Sequence, residues 1–245
     1  MANKHDSTVH SEAYLRGVAM TYYMQTVRAL GREFDFVLNS EIDHIQNVIR
    51  SGQFYEIEEL ELIVEFADNP KRILDVGANI GNHSIYFAHR FHADLTIPVE
   101  PNPVVVPLLR ANAGLNWHRS FDLSLVGYGF SDRSATGISS MTSAANLGGA
   151  KLHVDESGSI PIIAADVALP GMAFDLIKID VEGMEREVVS GMSAILARSK
   201  AVVFIEVLFK HVDSTIAQLG SLGYVYRTSY QRYGRCINLL FEKVA

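Results

Sequence analysis

A doubly wound α/β domain with a mostly parallel sheet is predicted for this chain, and three observations predict it. Short apolar runs of strand length (RILDVG, DLTIPVE, AFDLIKID and AVVFIEV) alternate with amphipathic stretches of helical length. A glycine-bearing turn, Gly77-Ala78-Asn79-Ile80-Gly81, follows the first of these strands and opens a helix. The chain closes on YVYRTS and RCINLLFE, joined by a short polar segment, as in an antiparallel hairpin at a sheet edge.

Ahead of this core the pattern reads as helical. Tyr14, Leu15, Val18, Ala19, Tyr22, Val27 and Leu30 recur at helical spacing, with Ser11 available as a cap. A second helix is expected from Ser40, with Ile42, Ile45, Val48 and Ile49 on one side and a stop near Gly52. A third stripe, Ile57, Leu60, Val64 and Ala67, ends before Pro70. Residues 1–69 are therefore set apart as an N-terminal helical extension, either packing alone or a cap over the site, and 70–245 as the ligand-binding domain.

Within the core a helix is expected over about 81–90, and another after Asn102-Pro103, started late or bent by Pro107. FDLSLVGYGF supplies a further strand, and a helix spans about 184–192. Between Ser131 and Gly149, 13 of 19 residues are Ser, Thr, Ala or Gly, which leaves little side chain to bury. That stretch reads as a mobile lid or a tolerated insertion.

Composition narrows the function classes. With 245 residues, 48% apolar and 20% charged, the chain suits one well-cored soluble enzyme domain. It has no run of about 18 apolar residues, no secretory signal and a single cysteine, Cys236, so the cytoplasm is the expected compartment and no membrane association is expected. The net charge of -7 sits in the N-terminal quarter, where 1–69 carry 5 Lys/Arg against 12 Asp/Glu. An acidic surface repels phosphate backbones, so a small-molecule acceptor is expected and no nucleic acid. A homo-oligomer is compatible with everything in the sequence.

The turn carries the sharpest chemistry. Gly77 and Gly81 let the backbone approach a ligand, and the helix start at Asn82 and Ser84 offers N–H groups. The spacing is not the G-x-G-x-x-G of a dinucleotide site, and Asp75 just before the turn suits the positively charged amino end of S-adenosylmethionine better than phosphates. Glu100, ending the next strand, would accept the hydroxyls of a ribose, a feature NAD sites share. Pro101 and Asn102 follow it, and Phe130, Ser131 and Asp132 reach the same sheet edge, where Phe130 would lie against adenine and Asp132 or a backbone group would meet its amine.

On the reacting side, period-2 alternation puts Lys178, Asp180 and Glu182 on one face of the fourth core strand. Glu206 closes the next strand and His211 follows. Asp180, Glu182, Glu206 or His211 would take the proton of a hydroxyl acceptor. His83 reads as polar lining of the cofactor pocket, and the carboxylates would also suit Mg²⁺, so the metal requirement stays open.

The chain resembles the FkbM-like methyltransferases over about 54–207. The resemblance rests on FYEIE at 54–58, ILDVGANIGNHSIYFA at 73–88, VEPNP at 99–103, FSD at 130–132 and LIKIDVEGMEREVVSGM at 176–192. It implies the class I methyltransferase fold, with a seven-stranded sheet whose last strand is antiparallel, and O-methylation of sugars, polyketides or other secondary metabolites. It also implies that Asp75, Gly77, Asn79, Glu100 and Asp132 belong to the S-adenosylmethionine site, that Asp180 and Glu182 face the methyl end, and that Tyr55 and Glu56 close over the site. The family's Thr-Leu-Asp-Asp-like stretch reads Ala164-Ala165-Asp166-Val167 here, which loses the hydroxyl. N- or C-methylation on the same fold, a nicotinamide oxidoreductase (weakened by the absence of G-x-G-x-x-G and of a Tyr/Lys hydride-site spacing) and a non-catalytic adenosyl-binding protein are the alternatives.

Overall fold

A computed structural model describes residues 9–10, 21–116, 119–141 and 143–244. After a two-residue strand β1 (Val9–His10) come β2 (Tyr23–Ala29) and β3 (Arg32–Leu38), a two-stranded antiparallel hairpin. Helices α1 (His44–Arg50) and α2 (Ile57–Phe66) lead to β4 (Arg72–Val76), α3 (Asn82–Arg90), β5 (Leu95–Val99) and α4 (Val106–Leu115). Strands β6 (Gly129–Ser131), β7 (Ala135–Met141), β8 (Lys151–Val154) and β9 (Ile160–Ala164) follow, then α5 (Ala165–Ala168) and β10 (Leu176–Ile179). The chain ends with α6 (Glu185–Gly191), α7 (Ser193–Arg198), β11 (Val202–Leu208), α8 (Val212–Ser221), β12 (Tyr224–Tyr230) and β13 (Cys236–Lys243).

The central sheet has six strands in the order β12-β13-β11-β10-β4-β5. β5, β4, β10 and β11 are parallel, and β13 and β12 are antiparallel, as expected of the terminal hairpin. The expected seventh strand is not a continuous element. Residues 119–127 run beside β5 through only two isolated bridges, Thr96–Phe121 and Glu100–Val126. Asp122 turns the chain between them by accepting the Ser124 N–H at 3.0 Å, and Gly127 sits at φ 106°. The sequence beyond, at β6, pairs with β9 in a second, mixed sheet, β1-β7-β9-β6 with β8 on β7. Within the Ser/Thr-rich stretch, Ala135–Met141 form β7, while 143–149 run as turns and bends.

The N-terminal expectation needs correction. Its first helical stripe, Tyr14 to Ala19, lies outside the described residues, but its continuation through Val27 and Leu30 is a hairpin. Leu30 and Gly31 both have positive φ (52° and 70°), the two-residue turn that matches strand twist. Alternation then buries Phe34, Phe36 and Leu38. The second helix starts later than expected: Asp43, not Ser40, caps it by accepting the Gln46 N–H at 2.9 Å, while Ser40 Oγ accepts the Asp43 N–H at 3.0 Å.

Alternation along the central strands divides the core. Ile73, Leu176, Val202, Phe204 and Leu240 face one layer, which also holds Phe34, Phe36, Phe54, Leu60 and Ile63. Leu74, Ile177, Ile179, Val203, Ile205 and Phe241 face the other, against α6, α7 and α8. The N-terminal elements therefore share a core with the sheet. On the first face the polar residues Asp75 and Lys178 are register partners on adjacent strands, and this places the site.

Candidate active site

A cavity of about 350 Å³ lies at the carboxyl ends of β4, β5, β10 and β11, where parallel strands hand over to helices. Its floor is the turn after β4. Gly77 (φ 81°) and Asn79 (φ 51°) adopt left-handed backbone, and the Asn79 N–H donates to Glu100 Oε2 at 2.8 Å. The other Glu100 oxygen accepts the Asn102 N–H at 2.8 Å, so this buried carboxylate is held by two loops. Burial pushes it up to about 7 against those hydrogen bonds.

Beneath the turn, Lys178 Nζ donates to Gly77 O at 2.8 Å and lies 3.3 Å from Asp75 Oδ1 and 3.7 Å from Asp180 Oδ2. Burial works against the Lys178 charge, but Asp75, then Asp180 and Glu56, leave its pKa raised. The second Asp75 oxygen accepts from Ser84 Oγ at 2.5 Å. Asp75 is thus a strut under the turn and does not line the cavity.

Asp180, Glu182 and Glu206 offer carboxylate oxygens within 4.8 Å of one another, and all three line the cavity. β10 ends at Ile179, so Glu182 reaches this face through a turn, at φ 54° with Gly183 at 111°, rather than through strand alternation. Burial, then repulsion from Asp180, pushes Glu182 up to about 7 and Glu206 to about 9. This is the one grouping among the described residues with a spacing suited to a divalent cation.

An aromatic wall closes the mouth. Tyr55 and Tyr233 share a hydrogen bond between their hydroxyls, and His44 meets Tyr55 edge-on at 5.6 Å. Tyr233 stands on the β12–β13 loop, and the adjacent Arg232 ties that loop to α2 by binding Glu59 at 2.5 Å and Glu58 at 2.6 Å. Arg232 is therefore occupied within the protein.

Of the residues singled out from the sequence, Tyr55, Glu56, Gly77, Ala78, Asn79, Asn82, Glu100, Pro101, Phe130, Asp180, Glu182 and Glu206 line one cavity. Asp75, Gly81, Ser84, Asn102, Ser131, Asp132 and His211 do not. Ser84 and Asn102 brace Asp75 and Glu100 from behind. Asp132 is exposed beside Arg133 at 3.8 Å, and His211 lies on a short 3₁₀ turn after β11. The cavity also takes His44, Asn146, Gly148, Leu152, Tyr233 and Cys236, which no local motif marked. Burial, then Glu206, pushes the Cys236 thiol up to about 12.

The raised carboxyls have a consequence for stability. Glu56 (about 8), Glu100, Glu182 and Glu206 all hold their protons above the ordinary value of roughly 4.3, so the folded state binds more protons than the unfolded one in that range. Their contribution is full at low pH and lost as pH rises through about 7 to 9. The melting temperature of the ligand-free protein is expected to fall between about pH 6 and pH 9. A rise over that interval, measured by calorimetry at constant ionic strength, would contradict the burial of these groups.

The sequence profile of the methyltransferase FkbM domain matches residues 75–226. No curated protein matches the chain at the level of sequence. Solved structures share its fold. M. jannaschii TYW2 in complex with AdoMet has 13% identity and a TM-score of 0.50, covering 93% of this chain and 90% of that one. M. jannaschii tRNA m1G37 methyltransferase has 14% identity and a TM-score of 0.52, covering 93% and 56%. T. thermophilus 16S rRNA N2 G1207 methyltransferase (RsmC), in complex with AdoMet and guanosine, has 17% identity and a TM-score of 0.52, covering 93% and 52%. The chain spans about half the length of the last two.

Proposed function

The chain belongs to the FkbM methyltransferase family, and from that premise we propose that it transfers a methyl group from S-adenosylmethionine to a hydroxyl of a small acceptor such as a sugar or secondary metabolite. The donor supplies a reactive methyl on a positively charged sulfur, so the protein's task is alignment and proton handling. The cavity suits that donor. Glu100 is held at the β5 end with its oxygens oriented by two N–H groups, Phe130 gives an apolar flank, and the backbone of the Gly77 turn lines the cavity. The amino end of the donor falls to residues other than Asp75, which is engaged below the turn.

The observation that carries the O-methylation reading is the carboxylate group at the ends of β10 and β11. Glu182, at about 7, sits where a general base works best at neutral pH, and would receive the acceptor's proton as the hydroxyl attacks. Glu206, pushed to about 9, keeps its proton at neutral pH and would donate a hydrogen bond to the acceptor. An acidic cavity in a chain of net charge -7 favours a small molecule over a nucleic acid.

The test is methyl transfer from S-adenosylmethionine to a panel of sugars and hydroxylated metabolites, with amine acceptors alongside, read by mass spectrometry. Glu182→Gln is expected to lower kcat by about 10²-fold or more and to remove the rise in rate as pH passes about 7, with little change in donor binding. An unaltered pH profile in that variant would remove Glu182 from the reaction, and turnover confined to the amines would replace O- with N-methylation.

A further inference from the structure

We infer that Glu56 and His83 form the receptor for the α-ammonium group of the donor, and that its arrival expels one proton from this pair. The inference rests on the donor reading above and concerns residues that the transfer step does not use.

Glu56 and His83 both line the cavity, with side chains about nine-tenths buried (10% and 8% exposed). Burial, then Lys178, lowers His83 to about 3, so its ring is neutral and carries one proton. The Tyr55 backbone takes a hydrogen bond from that ring, while Nε2 has no hydrogen-bond partner. The bare Nε2 therefore accepts only, and it stands 3.5 Å from Glu56 Oε2. Two buried acceptors face each other with no donor between them unless Glu56 carries a proton.

Glu56 does carry one in the ligand-free protein. Burial, then Asp180 at the end of β10 and Glu59 on α2, pushes its carboxyl up to about 8, opposed by Lys178 on β10 and a hydrogen bond from Tyr55. Tyr233 from the β12–β13 loop also feels its charge. An ammonium group brings three N–H donors and a positive charge, which satisfies His83 Nε2 and Glu56 together and makes the Glu56 proton redundant.

Placement selects the donor's amino end over other cations. Glu100, where the ribose would bind, follows β5, while two of the charges that act on Glu56, Lys178 and Asp180, stand on β10 and just past its end, and β4 with the Gly77 turn lies between those strands. An adenosyl ligand with its ribose on Glu100 runs its amino-acid tail across that turn. Asp75, the alternative carboxylate, is fully buried and already bound to Ser84 and Lys178.

The experiment is calorimetric titration near pH 7 in two buffers of different ionisation enthalpy. It uses S-adenosylhomocysteine and 5′-methylthioadenosine, which has the same nucleoside without the amino-acid tail. The wild-type protein is expected to release about one proton more per S-adenosylhomocysteine than per methylthioadenosine, because both ligands bring a ribose to Glu100 and only the former brings an ammonium group to Glu56. Glu56→Gln should abolish that difference and weaken S-adenosylhomocysteine about tenfold or more, leaving methylthioadenosine unchanged. His83→Asn should weaken the same ligand selectively. Equal proton release by the two ligands in the wild type overturns the inference, as does equal weakening of both ligands by Glu56→Gln. Binding of neither ligand to the folded wild type overturns the donor reading itself.

Discussion

Gly77→Ala is expected to abolish binding of S-adenosylhomocysteine and to destabilise the fold by several kcal/mol. A Cβ at this position would lie 1.7 Å from the backbone oxygen of Asp180, and backbone cannot yield as a flexible side chain can. Its φ of 81° adds the cost of a left-handed conformation, on the order of 1 kcal/mol. Asp180 N in turn donates to Val76 O at 2.9 Å, so moving Asp180 to relieve the clash would part β4 from β10 at the point where both deliver site residues. Gly52 is the control. It has φ 86° but nothing within 4 Å of an added Cβ, so Gly52→Ala should cost only about 1 kcal/mol. Urea denaturation of both variants decides the matter: equal losses would mean that backbone conformation, not the contact with Asp180, governs Gly77.

Lys178→Met is expected to cost about 3–5 kcal/mol, because it leaves Asp75 as an uncompensated charge in the protein interior. Asp75 is fully buried and the Lys178 side chain is only 5% exposed, so water reaches neither. The same substitution frees Gly77 O, which loses its 2.8 Å hydrogen bond, and removes the cation that opposes Glu56, Asp180 and Glu182. The double variant Asp75→Asn with Lys178→Met should recover part of the loss, since the buried charge goes with its partner. A single-variant loss under about 1 kcal/mol would show that the pair is solvated and is not the strut of the turn.

Much of the fold was legible because its signals are local. The strand-length runs RILDVG, LTIPVE, LIKID and VVFIEV became β4, β5, β10 and β11, and the final hairpin became β12 and β13. The Gly77–Gly81 turn needs left-handed backbone, and glycine announces that without any partner. The hairpin at β2–β3 escapes a sequence reading because Tyr22, Val27 and Leu30 fit a helical period by coincidence, while the decisive turn at Leu30-Gly31 occupies two residues. The seventh strand failed for a related reason. FDLSLVGYGF is apolar enough for a strand, but Asp122 and Gly127 bend it, and the pairing of β6 with β9 draws its end into another sheet.

The site divides in the same way. The sequence by itself determined that a glycine turn follows the first core strand, that an acid follows the second, and that carboxylates crowd the ends of the later ones. Each of those statements depends on residue type and spacing along one strand or turn. Tertiary structure alone decided which acids are free to meet a ligand. Asp75 and Lys178 neutralise each other because β4 and β10 are neighbours in register, and Glu56 is brought to His83 by the path of a segment about 27 residues earlier in the chain. His44, Tyr233 and Cys236 reach the cavity from elements distant in sequence for the same reason. Charge pairing and burial are properties of neighbours in space, and their sign at a given carboxylate is set only when the strands have taken their places.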